Sequence, residues 1–162
     1  MKLLLLGKNG QAGWELQRSL APLGEVIALD RQSVNEDGNG LCGDIGDLQT
    51  LVQTIRSVRP DVIVNAAAHT VVDKAESEPD RAWRLNAEAP EVIAQEAKNL
   101  GALLVHYSSD YVFDGSGSAP RKEGDATGPL SVYGRTKLEG EQRIAATHCR
   151  HLVFRTSWVL SL

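Results

Sequence analysis

The sequence predicts an α/β fold built on a doubly wound, mostly parallel sheet. Three observations predict it: short apolar runs, helical stretches between them, and a glycine-rich turn that joins the first run to the first helix. Runs without polar alternation are typical of strands covered on both faces. Alternating strands and helices favour parallel pairing with right-handed crossovers, as in a Rossmann fold. The predicted strands are Lys2–Leu6, Glu25–Leu29, Asp61–Asn65, Ala102–Tyr107 and His151–Thr156, with a weaker one at Gly40–Cys42.

Helical periodicity and capping signals predict the segments between the strands. The predicted helices are Gly10–Ala21, Leu48–Val58, Asp80–Leu85, Pro90–Asn99 and Ser131–Thr147. Pro90 suits the first turn of a helix, and Ser131 is a suitable N-cap. The Gly, Asp, Asn and Pro content of Asn35–Gly40 and Asp114–Pro129 predicts loops.

Length and composition indicate a single domain covering residues 1–162. The chain is 42% hydrophobic and 23% charged, which is ordinary for a globular protein. Its net charge of -4 argues against binding to nucleic acid or to anionic membranes, which requires a basic face. The apolar run Met1–Leu6 is too short for a signal peptide, and Cys42 and Cys149 fit no metal or disulfide motif. We therefore expect a soluble cytoplasmic protein with free thiols.

A glycine-rich turn follows the first predicted strand and opens the first helix. It contains Gly7, Gly10 and Gly13 in the spacing GxxGxxG. Glycine lets the backbone approach a pyrophosphate, and a helix N-terminus offers free N–H groups and a positive dipole end. The turn therefore predicts a dinucleotide site, although the same spacing also suits a simple tight turn.

The end of the second strand bears on the choice of cofactor. Asp30 lies about 20 residues beyond the glycine turn, where a carboxylate can accept hydrogen bonds from the adenosine ribose of NAD. The neighbouring Arg31 instead suits the 2′-phosphate of NADP. Because the two residues favour different cofactors, we expect NADPH and NADH to bind with comparable affinity.

Two later segments extend the predicted cofactor site. Asp44 and Ile45 suit the two sides of an adenine, or else they form a turn. The small residues that precede His69 and Thr70, including Ala68, let a cofactor lie close to the sheet edge. For His69 itself we expect a positioning role or plain surface exposure.

Three side chains form a candidate proton-transfer group. Tyr133 and Lys137 are four residues apart on a predicted helix, so they share one face. A nearby ammonium lowers the pKa of a phenol towards neutral pH, and Lys137 can also bind the nicotinamide ribose. Ser109, at the end of the fourth of the five longer strands, can donate to a substrate oxygen. Such a Tyr/Lys pair alone also arises by chance on exposed helices.

These motifs together resemble the extended short-chain dehydrogenase/reductases and, within them, the dTDP-4-dehydrorhamnose reductase family. The resemblance covers the chain from end to end. It rests on the runs 10–16, 62–76, 109–115, 129–137 and 154–159.

The resemblance implies reduction of the C4 ketone of dTDP-4-dehydro-L-rhamnose with NADPH or NADH. It implies cofactor contacts from Gly10, Gln11, Ala12, Asp30, Asp44, Ile45, Ala68, His69, Thr70, Tyr133 and Lys137. It places Ser109, Asp110 and Trp158 at the sugar. Members also use Mg2+ at a homodimer contact, and Glu15 matches one ligand position.

The chain departs from the family pattern in two ways. Serine stands at position 109, where members commonly carry threonine, so the hydroxyl is kept without the methyl group that restricts its rotamer. Members are also nearly twice as long, so most of the C-terminal substrate lobe is missing. We therefore expect cofactor binding, poor turnover and an apolar patch near Trp158 and Val159.

Two other functions fit the same residues. A sugar-nucleotide epimerase or dehydratase uses the same Tyr/Lys pair, but a dehydratase needs added carboxylates, and no Glu follows Asp110. A non-catalytic regulatory subunit of this fold does not need an intact set of Ser109, Tyr133 and Lys137.

Overall fold

In the part of the chain that the structure describes, the sheet has five strands, and all of them are parallel. The computed structural model describes residues 1–32 and 40–159. The strands are β1 Lys2–Leu6, β2 Glu25–Leu29, β3 Val62–Asn65, β4 Leu103–Ser109 and β5 His151–Thr156. They lie in the order β2-β1-β3-β4-β5, with β1 next to β3, which confirms the predicted doubly wound architecture.

The prediction of a weak strand at Gly40–Cys42 is wrong. Residues 40–43 have no regular secondary structure. Cys42 N donates to Thr54 Oγ1 at 3.0 Å, and Asp44 N contacts Cys42 Sγ at 3.4 Å. Apart from Gly40, the loop predicted at Asn35–Gly40 lies outside the described residues.

Helices cover the sheet unequally. They are α1 Gln11–Leu20, α2 Leu48–Val58, α3 Val72–Ser77, α4 Pro79–Trp83, α5 Ala89–Leu100 and α6 Val132–Thr147, with 3-10 turns at Ala21–Leu23 and Asp110–Val112. One face of the sheet, with Leu4, Ile63 and Leu104, forms the main core together with α2, α5 and α6. Helix α1 packs against β1 and β2.

Two helix predictions need correction. Helix α3 was not predicted, and the separate helices expected at Asp80–Leu85 and Pro90–Asn99 form one continuous helical stretch. A π-helical turn at Arg84–Glu88 joins α4 to α5. Pro90 occupies the first turn of α5, as predicted. Ser131 caps α6 by accepting from Gly134 N at 3.0 Å, which confirms its predicted role.

The glycine turn after β1 is required by the chain's own packing. Gly7 has φ +91°, a conformation that disfavours other residues. A Cβ on Gly13 would lie 1.9 Å from the carbonyl oxygen of Gly7, so only glycine permits this close approach of helix and strand. Gly10 differs, because a Cβ there would make only an ordinary contact at 3.5 Å.

The described residues also bear on the predicted free thiols and on membrane spans. Cys42 and Cys149 are free and buried, as expected. In residues 1–32 and 40–159 we find no helix with the length and apolar character of a membrane span.

Candidate functional site

A cavity of about 710 Å³ opens at the carboxyl ends of β1, β2 and β3. This is the edge at which doubly wound sheets bind ligands. Of the residues predicted from the sequence, Gly7, Gly10, Asp30, Arg31, Asp44, Ile45, Ala68 and Thr70 line it. The structure therefore brings most of the predicted cofactor residues together around one cavity.

The N-terminus of α1 adjoins this cavity with its first-turn amides uncapped. Gly10 precedes the helix, and no described side chain caps it. Gln11 and Ala12 form the first turn, whereas Gly13 is buried against Gly7. Uncapped N–H groups at the positive end of a helix suit a diphosphate, so this turn fits a dinucleotide cofactor.

Asp30 lies just beyond β2, and both oxygens of its buried carboxylate accept hydrogen bonds. The Asn9 side-chain amide donates to Oδ2. The backbone amide of Gln32 donates to Oδ1 at 2.8 Å. Asn9 was not identified from the sequence, because nothing in its residue type or spacing marks it as a partner of Asp30.

Two arginines that sequence reasoning missed also line the cavity. Arg81 lies on α4 and Arg84 on the π-helical turn. Arg84 Nε donates to the carbonyl oxygen of Gly46 at 2.8 Å, which anchors this side chain beside Asp44 and Gly46. Both arginines lie within the helix predicted at Asp80–Leu85, but helical periodicity does not report which of its residues border a cavity.

His69 is held by Asn86, another residue that sequence reasoning missed. The Asn86 side chain accepts from His69 N at 2.8 Å and donates to His69 O at 3.1 Å. It also contacts Thr136 Oγ1 at 3.1 Å. His69 is buried, so the alternative of plain surface exposure is wrong. Asn86 links the segment after β3 to helix α6.

Ser109, Tyr133 and Lys137 meet near the carboxyl end of β4. The Ser109 hydroxyl accepts from Tyr111 N at 3.2 Å and donates to Asp110 Oδ1 at 3.2 Å. Lys137 is 2% exposed, and its Nζ donates to the backbone oxygen of Tyr107 at 2.7 Å. The Tyr111 ring meets Tyr133 edge-on, with centroids 5.5 Å apart. Helix α6 therefore places Tyr133 and Lys137 beside the end of β4, where Ser109 lies.

The expectation that Lys137 lowers the pKa of Tyr133 is wrong. Burial raises the pKa of Tyr133, the hydrogen bond from Ser109 opposes that shift, and Asp110 and Tyr111 add to it. Burial also lowers the pKa of Lys137 to about 8, with Glu141 opposing. At neutral pH, Tyr133 is thus a neutral phenol and Lys137 is mostly an ammonium.

The remaining predicted residues lie outside this cluster or at its margin. Asp110 follows Ser109 and lines a second cavity of about 280 Å³ with Tyr111 and Ser131. Trp158 follows β5 and is 84% exposed.

The magnesium prediction finds no support in the chain. Glu15 is exposed on α1 and pairs with Arg18. Among residues 1–32 and 40–159, no three His, Cys, Asp or Glu side chains are grouped to hold a metal.

Comparisons with known proteins agree on one family. A family model described as RmlD substrate binding domain matches residues 1–162. The dTDP-4-dehydrorhamnose reductase of Salmonella typhimurium is 57% identical over 159 residues, which are 98% of this chain and 52% of that protein.

Solved structures show the same relationship. A crystal structure of a dTDP-4-dehydrorhamnose reductase from Clostridium acetobutylicum matches with TM-score 0.88 and 40% identity, covering 98% of this chain and 54% of that one. The reductase of Bacillus anthracis in complex with NADP matches with TM-score 0.87 and 34% identity, covering 97% and 53%. The chain thus spans about half the length of the relatives it matches.

Proposed function

The chain belongs to the RmlD substrate binding domain family, and from this membership we propose that it supplies the cofactor site and proton donor of a sugar-nucleotide reductase. The proposed reaction reduces the C4 ketone of dTDP-4-dehydro-L-rhamnose to dTDP-L-rhamnose. The observation that carries the proposal is the cavity of about 710 Å³ at the carboxyl ends of the strands, together with helix α6, which sets Tyr133 and Lys137 against the end of β4 at the same edge of the sheet.

The cavity fits NADPH or NADH. Asp30 and Arg31 meet the adenosine ribose, and Asp44 and Ile45 flank the adenine. The uncapped turn at residues 10–13 binds the diphosphate, and Ala68, His69 and Thr70 border the nicotinamide end. When bound, the cofactor supplies the hydride that reduces the ketone carbon. The NADP complex of the Bacillus anthracis relative supports this class of cofactor.

Tyr133 supplies the proton that the ketone oxygen gains. Its raised pKa keeps the phenol protonated at neutral pH, which is the state needed to donate. As the proton leaves, the Ser109 hydroxyl stabilises the oxygen left behind. Lys137, one helical turn away on α6, donates from Nζ to the backbone oxygen of Tyr107, and its role is to bind the nicotinamide ribose. Asp110 and Trp158 contact the sugar.

The 162-residue chain alone is expected to bind cofactor and to turn over slowly. It spans about half the length of its relatives. Binding energy from remote parts of a substrate orients the reacting centre, and a chain that holds less of the substrate loses that contribution.

The test separates binding from chemistry. Tyr133→Phe should lower kcat by about 100-fold or more, because it removes the proton donor, while NADPH affinity stays within about twofold. Binding is measured by calorimetry. Turnover is measured as substrate-dependent NADPH oxidation, both with this chain and with the chain joined to the C-terminal half of the Salmonella typhimurium relative.

Tyr107→Phe is the matched control. Its ring lies against Phe154, and only its backbone oxygen contacts Lys137. This variant should retain turnover. A folded wild-type chain that binds neither NADPH nor NADH would contradict the proposal, and so would full turnover by Tyr133→Phe.

A further inference from the structure

The Asp30 carboxylate is held by the chain before any ligand reaches it. The side-chain amide of Asn9 donates to Oδ2 from the glycine turn. The amide of Gln32 donates to Oδ1 at 2.8 Å from the chain that follows β2. Asp30 is only 9% exposed and lines the cavity next to Arg31. These two bonds fix the direction of the carboxylate.

The surroundings of Asp30 carry more positive than negative charge. The cavity lining includes the guanidinium groups of Arg31, Arg81 and Arg84 and the carboxylates of Asp30 and Asp44. Cations favour a phosphate group on the ligand, and a nearby carboxylate repels it. A carboxylate directed at the ribose instead favours a free 2′-hydroxyl, because it accepts that hydrogen bond. The orientation of Asp30 therefore decides between the two ligands.

We propose that Asn9 determines cofactor specificity: by holding Asp30 towards the glycine turn, it favours a ribose with a 2′-phosphate over one with a free 2′-hydroxyl. Asn9 is thus a positioning residue that acts through Asp30. This inference rests on the proposed function, since that proposal supplies the nicotinamide dinucleotide as the ligand.

A double-mutant cycle tests this coupling. The dissociation constants of NADPH and NADH are measured by calorimetry for the 162-residue chain and for Asn9→Ala, Asp30→Ala and the double variant. Loss of one hydrogen bond to a carboxylate should shift the ratio of the two constants about fivefold towards NADH in Asn9→Ala. In the Asp30→Ala background, Asn9→Ala should leave that ratio unchanged.

Controls keep the outcomes distinct. Asn99→Ala makes the same change at an exposed position on α5 and should leave the ratio unaltered. If Asn9→Ala does not fold, Asn9→Ser, whose hydroxyl is too short to reach Oδ2 as the amide does, replaces it with the same expected shift. An unchanged ratio overturns the inference. An equal shift in the Asp30→Ala background also overturns it, because Asn9 would then act on the ribose directly.

The experiment also separates this inference from the proposed function. If the folded wild-type chain binds neither cofactor, both the function and the inference fail. If it binds either cofactor but the cycle shows no coupling, the inference alone fails.

Discussion

Lys137 carries its ammonium group into the interior of the protein. It is 2% exposed, and Nζ donates to the backbone oxygen of Tyr107 at 2.7 Å. Burial lowers its pKa from 10.5 to about 8, and attraction to Glu141 opposes this shift. The folded chain therefore releases this proton at a lower pH than the unfolded chain does. Between the two pKa values the unfolded state binds more protons, so the free energy of unfolding rises with pH in that window.

Replacing Lys137 with methionine removes this pH dependence. Between about pH 7 and about pH 10, the wild-type free energy of unfolding should rise by on the order of 2–3 kcal/mol relative to Lys137→Met, from a pKa shift of this size. Urea denaturation of both proteins at the two pH values measures the difference. Because every other titrating group is shared, its contribution cancels. If the free energies of unfolding of the two proteins changed equally with pH, burial of the Lys137 ammonium would not destabilise the folded chain.

The π-helical turn at Arg84–Glu88 orders the helices around the site. A π turn has an i→i+5 hydrogen bond, here from Ala89 N to Arg84 O. It carries the buried Asn86, whose side chain bonds to both backbone groups of His69 and to Thr136 Oγ1. One carboxamide thus connects the cofactor side of the site to the helix that carries Tyr133 and Lys137.

Removing this carboxamide should destabilise the fold. Asn86→Ala leaves the backbone groups of His69 buried without their partner, which costs about 3 kcal/mol. Thermal or urea unfolding measures this loss. Gln53→Ala is the control, since it removes a carboxamide at an exposed position on α2 and should cost less than about 0.5 kcal/mol. Equal effects of the two substitutions would contradict the linking role of Asn86.

Sequence reasoning predicted the features that local residue patterns determine and missed those that depend on long-range contacts. The strands and the glycine turn could be predicted because local sequence determines them. Burial on both faces requires apolar residues in the strands, and the close contact of Gly13 with Gly7 requires glycine in the turn. Gly40–Cys42 carried the same apolar signal, but Thr54 bonds its backbone from α2, and sequence shows no such long-range partner. Sequence reasoning missed Asn86 and Asn9 for the same reason. A single asparagine follows no periodic pattern, and its role depends on the groups that its side chain contacts in the folded chain. The raised pKa of Tyr133 likewise follows from burial, which the spacing to Lys137 does not report.

Across the whole molecule, burial declines along one face of the sheet from β1 to β5. Leu5, Val64, Val105 and Leu152 are aligned across the strands by the parallel register. Leu5 is fully buried, Val64 is 2% exposed, Val105 is partly buried and Leu152 is 50% exposed. Phe154, two residues further along β5 on the same face, is 48% exposed. Among residues 1–32 and 40–159, helix α1 packs against the β1 and β2 side of this face, whereas Leu152 and Phe154 on its β4–β5 side stay exposed, and we call that side the open face.

This open face should promote self-association of the 162-residue chain. Exposed apolar side chains that adjoin one another attract apolar partners, and Trp158 and Val159, which follow β5, are exposed as well. Replacing both Leu152 and Phe154 with threonine keeps strand-forming residues and removes much of the apolar surface. Sedimentation velocity at increasing concentration should show oligomers for the wild type and monomers for the double variant. Dye-binding fluorescence should fall in parallel.

Leu23→Thr provides the matched control for this prediction. Leu23 is 55% exposed, comparable to Leu152 and Phe154, but it lies in the 3-10 turn at Ala21–Leu23. Its replacement removes an apolar area comparable to that of Leu152→Thr alone, without touching the open face, so self-association should persist. If the wild-type chain instead stays monomeric at every concentration and binds no more dye than the double variant, the open face does not promote self-association. Equal loss of association in the control would assign the effect to apolar surface in general, because Leu23→Thr leaves the open face unchanged.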